Sequence, residues 1–169
     1  PYSSGICCLG SLKQATYVRE QNPDAKVFIF YIDLRTPGTY AFFSSIVLSD
    51  PNVTAIRGKV ARIARDGHGT VVVEAEDILS AEKMRVNADL VVLATGMTPS
   101  VADEITGGAV QFDTDRFVLP DKASPGIFAA GCARGPVDVA TATADATAAA
   151  LKAMRTIHQS ATRRVPAPA

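Results

Sequence analysis

Five short groups of residues in this chain have the types and spacing to do chemistry. Gly131-Cys132 stands inside "GIFAAGCARGP" (Gly126 to Pro136), with Arg134 two residues on and Asp138 just beyond. Thr95-Gly96 closes the apolar run "ADLVVLATG". Cys7 and Cys8 are adjacent near the start, in "SSGICC". Asp33 and Arg35 follow the apolar run "KVFIFYID". His68 lies in "DGHG". An apolar strand ending in a glycine lets a flat or phosphorylated ligand approach the backbone closely. A strand that runs through such a glycine into a helix also aims amide groups and the helix dipole at that ligand. "GIFAAG", followed by "VDVATATADATAAALKAM", has that order, so Gly131, Cys132, Arg134 and Asp138 are candidate cofactor contacts, with Asp138 able to cap the helix. In open α/β sheets ligands gather at the carboxyl ends of strands, which places Thr95-Gly96 in the same class. Each motif is weak alone and stronger with the other.

The remaining candidates have plainer readings beside the chemical ones. Cys7 and Cys8 could be redox-active or hold an iron-sulfur cluster, since a helix N-terminus favours a thiolate. Packing is the plainer role, because Cys8 shares a helical face with Leu12. Cys132 needs only to be small. Asp33 stands where a Rossmann acid would read a ribose hydroxyl, but a glycine-rich partner loop is missing from the sequence, so a loop-capping role is expected. Arg134 is a better phosphate partner than Arg35, which reads as a surface or interface residue. His68 sits in a turn and is expected to be exposed. Two histidines and no CxxC leave no expected metal site. No general acid, base or nucleophile is evident, so the catalytic residues stay unassigned.

Around these residues the elements follow from periodicity. Cys8, Leu12 and Ala15 recur at i, i+4 and i+7, predicting a helix capped by Ser3 or Ser4 and stopped at Asn22-Pro23-Asp24. "KVFIFYID" predicts a strand buried on both faces, as in a parallel sheet. A helix is expected from Gly38 to Leu48. "VTAIRGKVARIARDGHGTVVVEAED" predicts strands at Val53 to Arg57, Lys59 to Ala64 and Thr70 to Ala75 around an Asp-Gly turn, with a further strand at Lys83 to Val86. "ADLVVLATG" and "GIFAAG" are expected to be buried strands, with a short β pair between them. The expected fold is therefore α/β: a sandwich with a mainly parallel sheet and a small antiparallel meander. Residues 1–88 would form one region, carrying the meander. Residues 89–159 would form a second, and 160–169 a disordered tail. The whole is expected to pack as one unit.

Composition narrows the classes. Lysine plus arginine and aspartate plus glutamate balance at 17 each, with no basic stripe, so no nucleic-acid partner is expected. No apolar run reaches the roughly 18–20 residues of a membrane span. Three cysteines, two of them adjacent, make no disulfide framework, and a reducing cytoplasm is the default.

Four stretches carry a resemblance. These are "PYSSGICCLGSLKQATYVREQNPDAKVFIFYIDLRTPG", "IRGKVARI", "ADLVVLATGMTPS" and "GIFAAGCARGPVDVATATADATAAALKA". Together they resemble the C-terminal part of the A subunit of heterodisulfide reductase and of its relative, the A subunit of the quinone-interacting membrane-bound oxidoreductase complex. Both lie within the FAD-dependent pyridine nucleotide-disulfide oxidoreductase superfamily, which implies a Rossmann-like, FAD/NAD(P)-binding-type fold, with residues 1–88 as an inserted nucleotide-binding-like region and residues 89–159 as the C-terminal part of the FAD-binding domain. The wording of the first stretch leans to the quinone-linked complex. The resemblance implies that Thr95 and Gly96 match the family's second FAD-contacting turn, and that Gly131 lies against the FAD pyrophosphate and ribityl chain. Most of the superfamily has an aspartate next. This chain has Cys132, as the narrower family does, so that side-chain contact does not carry over. Asp138 and the amides of Val137 to Val139 would lie nearest the flavin ring. The GxGxxG that holds the ADP moiety is absent from the sequence, so the chain reads as a truncated piece, expected to bind little or no FAD and to be inactive by itself.

The resemblance also implies an FAD-containing electron-transfer subunit of a quinone-linked complex in sulfur or sulfate metabolism. Its partners would be iron-sulfur and membrane subunits, and it would be cytoplasmic and membrane-associated only through them. A homodimer covering an exposed edge strand is a further expectation. Two other readings stay open: an NAD(P)-binding oxidoreductase domain using Asp33, and a non-enzymatic docking module on a degenerate nucleotide-binding fold.

Overall fold

A computed structural model describes residues 5–100, 107–120 and 125–163, with side chains to Ser160. The expected caps Ser3 and Ser4, and residues 164–169 of the expected tail, lie outside the described residues. The chain divides into two compact units, Cys7–Thr95 and Gly96–Ala169 with Pro1–Ile6.

The first unit begins with helix α1, Ile6–Gln21. Its predicted apolar face is the buried one: Leu12 is 0% exposed and Ala15 is buried beside it. The helix stops where Asn22-Pro23 removes a donor and disfavours further helix. Arg19, in its last turn, staples the exit. It donates to the carbonyls of Asn22, Pro23 and Ala25 and pairs with Asp50 at 2.9 Å. Strand β1 (Val27–Tyr31) follows, then helix α2 (Tyr40–Leu48). Leu12, Ala15, Val47 and Val53 form the core of this unit, with Val27, Ile29, Leu34, Phe43 and Leu48 packed against them. β1 is less enclosed than predicted, for Phe28 stays partly exposed. It is an edge strand, so one side of it has no neighbour among the described residues.

Strands β2 (Val53–Arg65), β3 (Val71–Asp77) and β4 (Lys83–Ala88) complete a sheet in the order β1-β2-β3-β4. β1 and β2 are parallel, and β2, β3 and β4 form the predicted antiparallel meander. The two strands predicted at Val53 to Arg57 and Lys59 to Ala64 are one. Residues up to Arg57 pair with β1 and residues from Gly58 onward pair with β3, with a bulge between Val60 and Arg62. The β2–β3 turn is built by Asp66. Its Oδ1 accepts from the amides of His68 and Thr70, both at 2.9 Å. Gly69 takes the left-handed conformation, φ +86°. An aspartate that bonds the backbone two residues on is a standard turn initiator.

The second unit contains a short β pair as expected, bridged at Phe112 and Val118. Asp113 Oδ1 closes it by accepting from the Asp115 and Phe117 amides. Phe117 and Val118 are buried. A 3₁₀ turn at Gly131–Ala133 leads to helix α3, Val139–Arg163, which runs past the predicted start of the tail at residue 160.

Two predicted strands are not strands. Residues 90–100 and 127–130 carry no regular secondary structure. Leu90 is 74% exposed, and Val92 and Leu93 are exposed beside it. Ile127 is partly exposed as well. Their β-branched, apolar composition suits a strand, but a strand exists only when a neighbour completes its hydrogen bonds. Neither segment has such a neighbour among the described residues.

Candidate functional site

The glycine turn before α3 is built from four ties within its own unit. Gly131 adopts φ +60°, a conformation that costs other residues more than glycine. Its carbonyl accepts from the Arg134 amide at 2.9 Å. The Val118 amide donates to the Ala133 carbonyl at 2.8 Å, which anchors the turn to the β pair. From α3, the Asp145 carboxylate accepts from the Gly131 amide at 3.2 Å and pairs with Arg134 at 2.8 Å.

Asp138 caps α3 as the sequence predicts. Its Oδ1 accepts from the Thr141 amide at 2.7 Å, while its carbonyl takes the first helical bond, from Ala142. Cys132 is exposed, and its thiol donates to the Val137 carbonyl at 3.8 Å. That long sulfur contact leaves it as a small residue on the open side of the turn. Gly131, Cys132, Arg134 and Asp138 are therefore brought together. Thr95 ends the first unit and Gly96 opens the second. The Thr95 amide donates to the Leu93 carbonyl, and Gly96 turns the chain at φ +95°.

Asp145 was missed by sequence reasoning. A signal was available: it is the one charged residue between Val139 and Leu151 in a run of alanine and threonine. It also changes the reading of Arg134. That guanidinium is occupied by a carboxylate of its own unit, so its charge is already neutralised on that side.

Elsewhere, Cys8 donates to the Asp33 carbonyl at 3.6 Å and accepts from the Arg35 amide at 3.4 Å. It joins α1 to the loop after β1, which is the packing role. Asp33 pairs with Arg35 at 2.6 Å, and the pairing raises the Arg35 guanidinium further above its ordinary value. Both side chains are well exposed, so the pair adds little stability. His68 is exposed, as predicted. Among the described residues no group of three metal-ligating side chains occurs, and no helix is long and apolar enough to cross a membrane.

The fold matches solved thioredoxin reductases. The Lactococcus lactis enzyme superposes with a TM-score of 0.61 at 18% identity, covering 88% of this chain and 50% of that one. The T. acidophilum enzyme gives 0.58 at 21%, covering 86% and 47%. The sequence decides the rest. A protein of Archaeoglobus profundus, described as like the A subunit of heterodisulfide reductase, is 37% identical over 92% of the chain.

This chain is a relative of the heterodisulfide reductase A subunit.

The A subunit of the ferredoxin:CoB-CoM heterodisulfide reductase of Methanosarcina mazei is 34% identical over 91% of the chain. The iron-sulfur A subunit of a CoB–CoM heterodisulfide reductase of Methanopyrus kandleri is 32% identical over 90%. The chain spans about a quarter of the length of these curated relatives, between 21% and 25%. No protein-family model matches it.

Proposed function

We propose that this chain forms part of an FAD-containing electron-transfer subunit. The observation that carries the reading is the Gly131 turn. It is a left-handed glycine at the mouth of a capped helix, in a chain that matches a relative of the heterodisulfide reductase A subunit over nine-tenths of its length. The residues present suit contact with an uncharged part of the cofactor. Asp138 puts a carboxylate at the helix N-terminus, which repels a pyrophosphate, and the Arg134 guanidinium is already paired with Asp145. Gly131, Cys132 and the first turn of α3 would hold the ring and ribityl side by backbone contact, with Thr95 and Gly96 as a second contacting turn. When bound, FAD supplies the electron-transfer chemistry, and the protein orients it and excludes water.

The finer reading is a subunit that hands electrons to iron-sulfur centres and membrane subunits of one complex. The relatives' names speak of ferredoxin and the CoB–CoM heterodisulfide, and one calls the A subunit itself an iron-sulfur subunit, which supports iron-sulfur centres close to the flavin. A quinone-linked complex of sulfur or sulfate metabolism rests on the wording of Pro1 to Gly38 alone. The native polypeptide, purified from its source, should show flavin absorption bands and release FAD on acid extraction. The 169-residue chain alone should bind FAD weakly or not at all. A native polypeptide without FAD overturns the reading.

A further inference from the structure

One side of the glycine turn is closed by a single side chain. Asp145 lies two turns into α3, where aspartate is a poor helix former. Its two oxygens are both engaged, Oδ2 with the Gly131 amide and Oδ1 with Arg134 Nη1. Charge-assisted bonds of this kind are stronger than neutral ones. Here they tie both ends of one turn to one point on the helix. The space beside them, lined by Pro120, Phe128, Ala129, Ala148, Ala149 and Lys152, measures about 30 Å³. That admits a water or two. The other side of the turn is open, with Cys132 and Val139 exposed on it.

We propose that Asp145 is the positioning residue of the flavin-contacting turn, and that Arg134 is its strut and not a phosphate ligand. This rests on the flavin reading above. With the Gly131 amide and the Arg134 guanidinium held from behind, the turn keeps its shape before a cofactor arrives. A preformed turn avoids the ordering cost that a loose one would meet on binding.

The test uses the native flavoprotein with four variants. Asp145→Ala removes both bonds. Asp145→Asn keeps an acceptor for Gly131 and loses the ion pair. Arg134→Gln loses the same ion pair from the other side. Ala153→Gly loosens the same helix away from the turn. Apoprotein reconstitution followed by flavin fluorescence gives the FAD dissociation constant, and the visible spectrum reports the ring's surroundings. Asp145→Ala should weaken FAD binding about tenfold or more and shift the flavin bands. Asp145→Asn and Arg134→Gln should fall between it and the wild type, by similar amounts. Ala153→Gly should lower the melting temperature and leave both flavin readouts in place. An Asp145→Ala protein that binds FAD within about twofold of the wild type, with an unchanged spectrum, overturns the proposal. So does an Ala153→Gly protein that loses FAD equally, since that effect would be one of helix stability alone. A wild type that carries no FAD sinks the flavin reading itself. Amide exchange at Gly131 in the 169-residue chain then judges the clamp alone: faster exchange in Asp145→Ala supports it, and unchanged exchange rejects it.

Discussion

At the scale of single residues, two positions give direct tests. A Cβ on Gly131 would meet the Ala142 Cβ at 3.4 Å, in a backbone conformation of φ +60°. The contact is an ordinary van der Waals one and the strain lies in the conformation, so Gly131→Ala should cost about 1–2 kcal/mol, read as a lower midpoint in urea unfolding. Gly67, by contrast, has nothing near its Cβ position and no left-handed φ, and alanine there should be close to neutral. Asp50 is the second position. Its carboxyl is held below the ordinary value of 3.8, first by the Arg19 guanidinium and then by the Asn52 amide. A carboxyl depressed by folding contributes stability above its unfolded pKa and loses it as the pH falls through the folded one. Asp50→Asn should therefore be less stable than the wild type at about pH 6, and the gap should narrow as the pH is taken below about 3.8. A gap that stays constant with pH would mean that the pair contributes through shape and not charge. Asp145 shows why residue-level reading from sequence stops short. Its contact reaches back fourteen positions to Gly131, and nothing local in an alanine-rich helix reveals which face meets the turn.

Elements were legible where their signals are local. The spacing of Cys8, Leu12 and Ala15 located the buried face of α1, and the Asp-Gly turn located the β2–β3 hairpin. The cap of α3 was legible too, because Asp138 and the Thr141 amide it accepts from are three residues apart. Asp138→Ala should destabilise α3 by about 1 kcal/mol, and Asp138→Asn by only a fraction of that, as measured by thermal unfolding followed at the helical circular dichroism band. Equal losses in both variants would show that charge, not capping, is what the helix uses. The α3 surface has a device of its own. The hydroxyls of Thr143, Thr147, Thr156 and Ser160 each bond the carbonyl four residues back. The hydroxyls are thereby satisfied within the helix, leaving the threonine methyls as part of its surface. What was not legible was pairing. Residues 90–95 and 127–130 have strand composition, and composition cannot supply the neighbouring strand that makes a strand real.

For the whole molecule, the boundary between the two compact units falls at Thr95-Gly96, inside the irregular segment 90–100. Exposed backbone without regular hydrogen bonding is where proteases cut first. Brief chymotrypsin or thermolysin treatment should cleave near Leu90 or Leu93 and leave a fragment ending close to Thr95 that keeps the circular dichroism of its sheet. Cleavage first within β2–β4 would contradict this. The α/β class was readable because α1, β1, α2 and β2 alternate, but the sheet is not mainly parallel among the described residues: only β1 and β2 pair that way, and the meander supplies the other two pairings.

Strand β2 holds two ladders at once, parallel to β1 in its first part and antiparallel to β3 in its second. That has a consequence for how the protein is made. On the ribosome, β1 emerges well before the strand it pairs with, because α2 and its flanking loops come between them. At roughly 5–20 residues per second of synthesis, the apolar run Val27–Tyr31 waits on the order of seconds for β2. The meander then closes through its short turn within about 1–10 μs of being free to fold. While it waits, Val27–Tyr31 is the part of this segment most open to aggregation, and the later hairpin is the platform on which it finally docks.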